Sequence, residues 1–394
     1  MNQARIDDLD VIRAVAVFGL LPMNILVFAN PLAAYFNPGV MFSDQLSTYL
    51  SHFITFVFFD QKMMGLFSLL FGSSMMLLIS KHRSQGVSTA KKHYKRYLWL
   101  LGFGLLHLFF LWQGDILHLY AVCAVVIYPL LRLSPKGLFI VSGFLWTVVL
   151  YAYARLHGSL IEIDFSLVAN EAASYNPSYH DLAVEISAYQ RGYWAVLSHV
   201  FSEENIYQSE ADKLILNTFY LTSFLRALAM MLLGAGLYQM NFWTQPPAES
   251  FKAWAYRLVF VGILLASAGF FYSYSQHWQT STMAVGVFLN QLATPLLVLG
   301  YVLWIRFLMA SAWRPKLMWF APVGRMAFTL YITQSILMTG LFYGWGFGLY
   351  GTLSRPELWL VIFATWLTLF VLAHLWLKRF SQGPLEALWR RLSR

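Results

Sequence analysis

The chain has 394 residues, of which 59% are hydrophobic, 18% aromatic and only 11% charged, with a mean hydropathy of +0.57. Soluble domains carry about 25% charged residues, so a water-soluble globular protein is excluded and an all-α, polytopic transmembrane bundle is expected. The net charge of +9 sits in the loops, where it reports membrane orientation and removes nucleic acid as its explanation.

A crossing helix needs roughly 20 apolar residues. On that measure ten spans are predicted, at about 11–30, 53–80, 96–113, 116–132, 137–155, 214–240, 257–275, 283–305, 322–347 and 357–377. The first contains Arg13, follows the acidic Asp7-Asp8-Leu9-Asp10 and has no small-x-small cleavage site behind it. It is expected to be retained as a span rather than removed as a signal peptide. The second carries Asp60 and Lys62 near its start, in Phe56–Ser74. Residues two apart on a helix do not face each other, so each charge requires a partner from another span. Residues 46–60 are a candidate interfacial helix leading into it. Cys123, the single cysteine, lies in the fourth span, which leaves no disulfide framework and no cysteine-based metal site.

The 156–213 segment is the one large stretch outside the spans. It holds Glu162, Asp164, Glu171, Asp181, Glu185, Glu203, Glu204, Glu210 and Asp212, interleaved with Tyr175, Tyr179, Tyr189, Tyr193 and Trp194, and is expected to be a partly helical cap. It divides the chain into a five-span half at 1–155 and a second at 214–394. With both termini cytoplasmic, 21 of the 27 Lys and Arg residues fall inside and four (Arg155, Arg191, Lys213, Arg355) outside, as the positive-inside rule requires.

At 1.5 Å rise per residue, Asn24 and His107 lie roughly 20 Å up their spans from the inner face. Asp115 and His118 flank the outward turn, and Asp60 approaches the same level from the second span. Two imidazoles and a carboxylate to orient them are the groups general acid–base chemistry uses. Asp115 after Gly114 is also placed to cap a helix, and His107 to be a satisfied core histidine. No His/Glu pattern points to a metal. At the cytoplasmic ends stand Arg13, Arg96, Arg257, Arg306 and Arg325, candidates for phosphate recognition; Arg325 follows Pro322-Val323-Gly324, where free amides favour anions. Between the levels lie Arg226, Gln291 and Gln334-Ser335. Arg226 is expected to pair with Asp60, and the glutamines to glue helices. Gly340, Gly344 and Gly348 suggest a close-packing helix face. Gly346–Gly351 fits a dinucleotide fingerprint only by spacing, with no strand before it.

The stretches RIDDLDVIRAVAVFGLLPMNI, FDQKMMGLFSLLFGSS, LLGFGLLHLFFLWQGDILHLYAV, VGRMAFTLYITQSIL and KRFSQGPLEALWRR resemble the YeiB-like family of bacterial inner-membrane proteins, whose C-terminal half is domain of unknown function 418. The N-terminal half is similar to membrane acyltransferases that include heparan-alpha-glucosaminide N-acetyltransferase. In those proteins a first-span arginine is followed eleven residues later by a functional Asn or His; here the spacing joins Arg13 to Asn24. Their catalytic histidine in the following loop has no counterpart in Pro31–Gln45. The resemblance implies a bacterial inner-membrane acyltransferase taking acyl-CoA as donor. On that expectation His107, His118, Asp115, Asn24 and Asp60 are the catalytic set, and Arg13, Arg325, Arg226, Gln334 and Lys62 the donor-binding set. Partners would be membrane lipids, a small-molecule donor and acceptor, and at most further copies of the chain. The alternative is a transporter or channel for a small anionic solute, using the same buried cations.

Overall fold

A computed structural model describes residues 6–41, 46–86, 88–166, 172–202 and 209–394. Among these the chain is built of helices joined by loops, with no strand. α1 (Asp7–Ala29) is followed by a short α2 (Leu32–Phe36), by α3 (Leu46–Ile54) and by α4 (Lys62–Ser84). Next come α5 (Thr89–Phe110), α6 (Leu117–Leu130) and α7 (Pro135–Ile161), then α8 (Tyr179–Arg191) and α9 (Tyr193–Val200) of the cap. The second half contributes α10 (Glu210–Gln239), α11 (Ser250–Ser275), α12 (Met283–Met309), the five-residue α13 (Arg314–Met318) and α14 (Ala321–Arg325), α15 (Ala327–Phe342), α16 (Arg355–Leu377) and α17 (Pro384–Leu392). Seven segments are long and apolar enough to cross a membrane, and α6 and α15 are shorter apolar helices. One of the seven, Leu46–Ser84, has 39 residues, about 58 Å of helix if straight, twice the hydrocarbon thickness. It does not run straight. Thr55–Phe59 forms a π-helical turn, Asp60 leaves the helix, and Gln61 has φ +64° before α4 begins.

α1 is the central helix, buried along most of its length and packed against α4, α12, α14, α15 and α16. α4 and α10 cross with backbones nearly touching: a Cβ on Gly72 would lie 1.9 Å from the Met231 carbonyl, and one on Gly234 would lie 1.8 Å from that of Leu69. The Ser73 hydroxyl donates across the crossing to the Gly234 carbonyl at 2.8 Å. The predicted close-packing face at Gly340, Gly344 and Gly348 is not one. α15 stops at Phe342, and the glycines fold into a loop in which Gly348 and Gly351 have positive φ and Gly344 lies against the Gln190 carbonyl at the end of α8.

Inter-loop contacts sort into two ends. At one, Asp7 pairs with Arg314 at 2.7 Å, Asp8 with Arg306 at 3.1 Å, Arg325 donates to the Ser381 carbonyl and Trp389 to that of Arg96. At the other, Gln113 donates to Tyr189, Gln190 to the Tyr350 carbonyl, the Leu32 amide to Glu185, and Asn176 to Thr280. The cap at this second end is partly helical, as expected, through α8 and α9. Its Glu171, Glu203 and Glu204 lie outside the described residues.

Candidate active site

The turn between α5 and α6 builds a compact polar centre. Gly104 allows the two helices to meet, since a Cβ there would lie 2.3 Å from the His118 amide. One turn further along α5, His107 shares that face. Asp115 accepts the His118 backbone N–H at 2.7 Å, the capping role expected of it. It also receives the Nδ1 of both histidines, Oδ1 at 2.7 Å from His107 and Oδ2 at 2.8 Å from His118. Burial alone would raise the Asp115 carboxyl, but the hydrogen bonds from His107 and His118 outweigh it and hold it below its usual range. The carboxylate is thus ionised and fixes the ring orientation of both histidines.

The histidines differ at their outer nitrogens. His107, with 2% of its side chain exposed, meets the Ser335 hydroxyl at 2.8 Å through Nε2. His118, with 32% exposed, has no partner for Nε2 among the described residues. α15 closes the centre from the second half of the chain. Tyr331, its ring centroid 5.2 Å from that of His107, accepts the Ile116 amide. Gln334 donates to the Val17 carbonyl of α1 at 3.1 Å. Trp112 stacks on Phe28 at 3.9 Å and stands edge-on to His107 at 6.3 Å, with its indole N–H buried and unpaired among the described residues. Asn24 is half-buried and makes no side-chain hydrogen bond among the described residues. It lies on the α1 stripe Val17–Leu21–Asn24–Phe28, between the turn that meets Gln334 and the turn that meets Trp112.

Asp60 is not part of this centre. It accepts from Tyr35, from Gln61 Nε2 at 2.8 Å and from Asn290 Nδ2 at 3.0 Å. The expected ion pair with Arg226 is absent. Arg226 Nη1 donates to Gln61 Oε1, Nε to the Thr222 carbonyl at 3.1 Å and Nη2 to Ser223 at 2.8 Å. The left-handed backbone of Gln61 turns its amide between the two charges, one end to each. Lys62 is fully buried and spends its ammonium on the Phe56 carbonyl at 2.7 Å and on Asn290 Oδ1. A cavity of about 50 Å³ borders this network, lined by Tyr35, His52, Asp60, Gln61, Tyr175 and Trp278.

The arginines expected at the cytoplasmic ends are largely engaged within the chain. Arg13 bonds Asp10 at 3.0 Å and Ser74 at 3.2 Å, and Arg306 is held by Asp8, the Gln245 carbonyl and the Phe242 ring. The anion site expected beside Arg325 is occupied by the chain itself: Glu386 of α17 accepts the amides of Phe328 and Thr329, at 2.8 and 3.1 Å, and the Thr329 hydroxyl. A carboxylate there satisfies the free amides that would otherwise attract a phosphate. Arg96 stacks on Trp389 of the same helix at 3.7 Å. Among the described residues no His, Cys, Asp and Glu group is arranged to hold a metal ion.

The sequence alone did not single out Ser335 as a partner of His107. Its signal was the Thr-x-Tyr-x-x-Gln-Ser spacing, of which every member has a distinct contact: Thr329 with Glu386, Tyr331 with Ile116, Gln334 with α1 and Ser335 with His107.

An all-helical membrane protein with a buried His–Asp–His centre built across both halves is the class these features define. A family model described as "Protein of unknown function (DUF418)" matches residues 237–394. The chain is 30% identical to the uncharacterized protein YxaH of Bacillus subtilis (strain 168), over 99% of this chain and 94% of that one. It is 28% identical to the uncharacterized protein YeiB of Escherichia coli (strain K12), over 98% and 95%. No solved structure matches it. The chain belongs to the YeiB-like, DUF418 family.

Proposed function

We propose that the chain is a membrane acyltransferase of the bacterial inner membrane, passing an acyl group from cytosolic acyl-CoA to an extracytoplasmic or membrane-embedded acceptor. The observation that carries this reading is Asp115, whose two oxygens orient the Nδ1 of His107 and His118 while the half-exposed His118 keeps Nε2 open. An acceptor hydroxyl or amine approaching from the outer end would give its proton to that nitrogen as it attacks the acyl carbonyl. The imidazolium that forms is stabilised by Asp115. A placed base of this kind contributes about 10²–10⁴-fold.

Ten crossings with both termini inside accompany the reading. The two-ended sorting of loop contacts supports that parity, and the 21-to-four charge bias sets its direction. A cysteine placed at Ser178 should therefore react with an impermeant thiol reagent from the outside; reaction only from the cytoplasmic side would reverse the orientation. With Arg13, Arg306 and Arg325 engaged, the donor's phosphates would meet the exposed Arg257, Arg390 and Arg391. The similarity of Arg13 and Asn24 to the acyltransferase spacing adds support.

A second reading, transport of a small anionic solute, is favoured by one observation: the buried cations Lys62, Arg226 and Arg355 contact Phe56, Gln61 and His52 in the lining of the Asp60 cavity. Full-length protein incubated with acyl-CoA labelled in the acyl group separates the two. Protein-dependent CoA release is the acyltransferase result. Thermal stabilisation by an anionic solute with no thiol release is the transport result and contradicts acyl transfer.

A further inference from the structure

We propose that Ser335 is a catalytic nucleophile, forming an acyl-serine between donor and acceptor, so that transfer proceeds in two steps rather than one. This rests on the acyl-transfer reading and assigns its missing reacting atom. The juxtaposition is Ser335 Oγ to His107 Nε2 at 2.8 Å and His107 Nδ1 to Asp115 Oδ1 at 2.7 Å. It brings together a hydroxyl from one end of the chain with an imidazole and carboxylate 228 residues earlier in the case of the His107 contact. A weak hydroxyl nucleophile is activated by an adjacent base that a third group orients, and these three residues stand in that order.

In the first half-reaction Ser335 Oγ attacks the thioester carbonyl and its proton passes to His107 Nε2. The carbon–sulfur bond then breaks, and the departing CoA sulfur takes the proton from His107. In the second, the acceptor attacks the ester carbonyl and gives its proton to His118. That proton is relayed from His118 to His107 Nε2, and His107 then delivers it to the serine oxygen as the carbon–oxygen bond to Ser335 breaks, so both histidines end neutral. No oxidant or reductant is consumed. One carboxylate holding two histidines then has a physical reason, one histidine serving the serine and the other the acceptor.

Two further features fit. The tetrahedral oxyanion needs donors aimed at it. Among the described residues, Trp112 presents a buried indole N–H with no acceptor beside the His107 ring, and Asn24 has an uncommitted amide on the facing stripe of α1. Buried unpaired donors are uncommon and call for an explanation. Ser335 is also 1% exposed, which keeps water from an acyl-serine and favours transfer over hydrolysis.

The test uses the full chain in nanodiscs with acetyl-CoA, octanoyl-CoA or p-nitrophenyl acetate and no acceptor. Wild type should gain one acyl group per chain, mapping to the peptide that contains Ser335. Ser335→Ala should gain none and lose CoA release on the order of 10³-fold or more. Ser335→Cys should regain the adduct as a thioester cleaved by neutral hydroxylamine, which a serine serving only to position His107 would not produce. Ser335→Ala that releases CoA within tenfold of wild type, or wild type that releases CoA with no adduct, overturns the nucleophile and leaves acyl transfer standing. Neither CoA release nor adduct in wild type overturns both.

Discussion

Two buried polar regions of this protein solve the same electrostatic problem in opposite ways. Around Asp115, a carboxylate meets titratable rings directly, and one ring nitrogen is left open. Around Asp60, two cations and a carboxylate never touch; Gln61 and Asn290 stand between them and donate to one side while accepting from the other. Neutral amides spread the charge among the three groups and leave no ring nitrogen open beside the carboxylate. The comparison teaches that charge within a membrane bundle does not by itself mark the chemistry. On the acyltransfer reading, the reactive region is the one whose charged group is aimed at a base, and the other is a brace holding α4, α10 and α12 in register.

Substitutions in the first region should carry the largest effects. Asp115→Asn removes the anion that orients both rings and should lower CoA release by about 10⁴-fold, the order seen when a base loses its orienting carboxylate. The fold should persist, because asparagine still caps α6. His107→Gln and His118→Gln should each lower it by about 10²–10⁴-fold. If both keep full activity, the base is elsewhere and the acyltransfer scheme falls.

The second region should respond in stability instead. Arg226→Leu leaves the Gln61 oxygen buried without its donor, a loss of about 1–3 kcal/mol, read as a lower Tm with turnover per folded molecule retained. Because Gln61 mediates the contact, adding Asp60→Leu should not rescue Arg226→Leu; recovery in the double variant would restore the direct ion pair that the structure lacks.

These contrasts bear on what the sequence made legible. His107, Asp115 and His118 were foreseeable because they are close along the chain and their depth follows from helical rise. Ser335 was not singled out, since its distance from His107 spans both halves and the phase of α15 depends on the break at Met326. The Arg226–Asp60 pairing was expected because each lacked a partner at its depth. A π-helical turn followed by a left-handed glutamine redirected both, and no local pattern announces that. The ninth span was drawn as one helix to residue 347, but α15 stops at Phe342, where Tyr343 takes up extended backbone.

At the end where α17 docks, Glu386→Gln should weaken that docking by about 1 kcal/mol, by removing a charge that complements the α15 N-terminus. Faster proteolysis of the C-terminal segment checks it; unchanged cleavage would mean that the contact holds nothing in place. The smallest effect is expected in the cap. Burial raises the Glu185 carboxyl, although Tyr350 and the Leu32 amide donate to it and act in the opposite sense. The folded cap therefore binds the proton more tightly than the unfolded one. Its stability is greatest below the usual carboxylate range and declines as pH rises through the raised value. Hydrogen exchange of α8 should show this decline in wild type and lose it in Glu185→Gln; a cap that tightens as pH rises would reverse the sign.

The central claim is that the chemistry belongs to the His107–Asp115–His118 centre and not to the Asp60 network. CoA release per folded molecule, measured side by side for His107→Gln and Arg226→Leu in nanodiscs, tests it most directly. The account predicts a fall of about 10²-fold or more in the first and a value close to wild type in the second. Full activity in His107→Gln with loss in Arg226→Leu would contradict it.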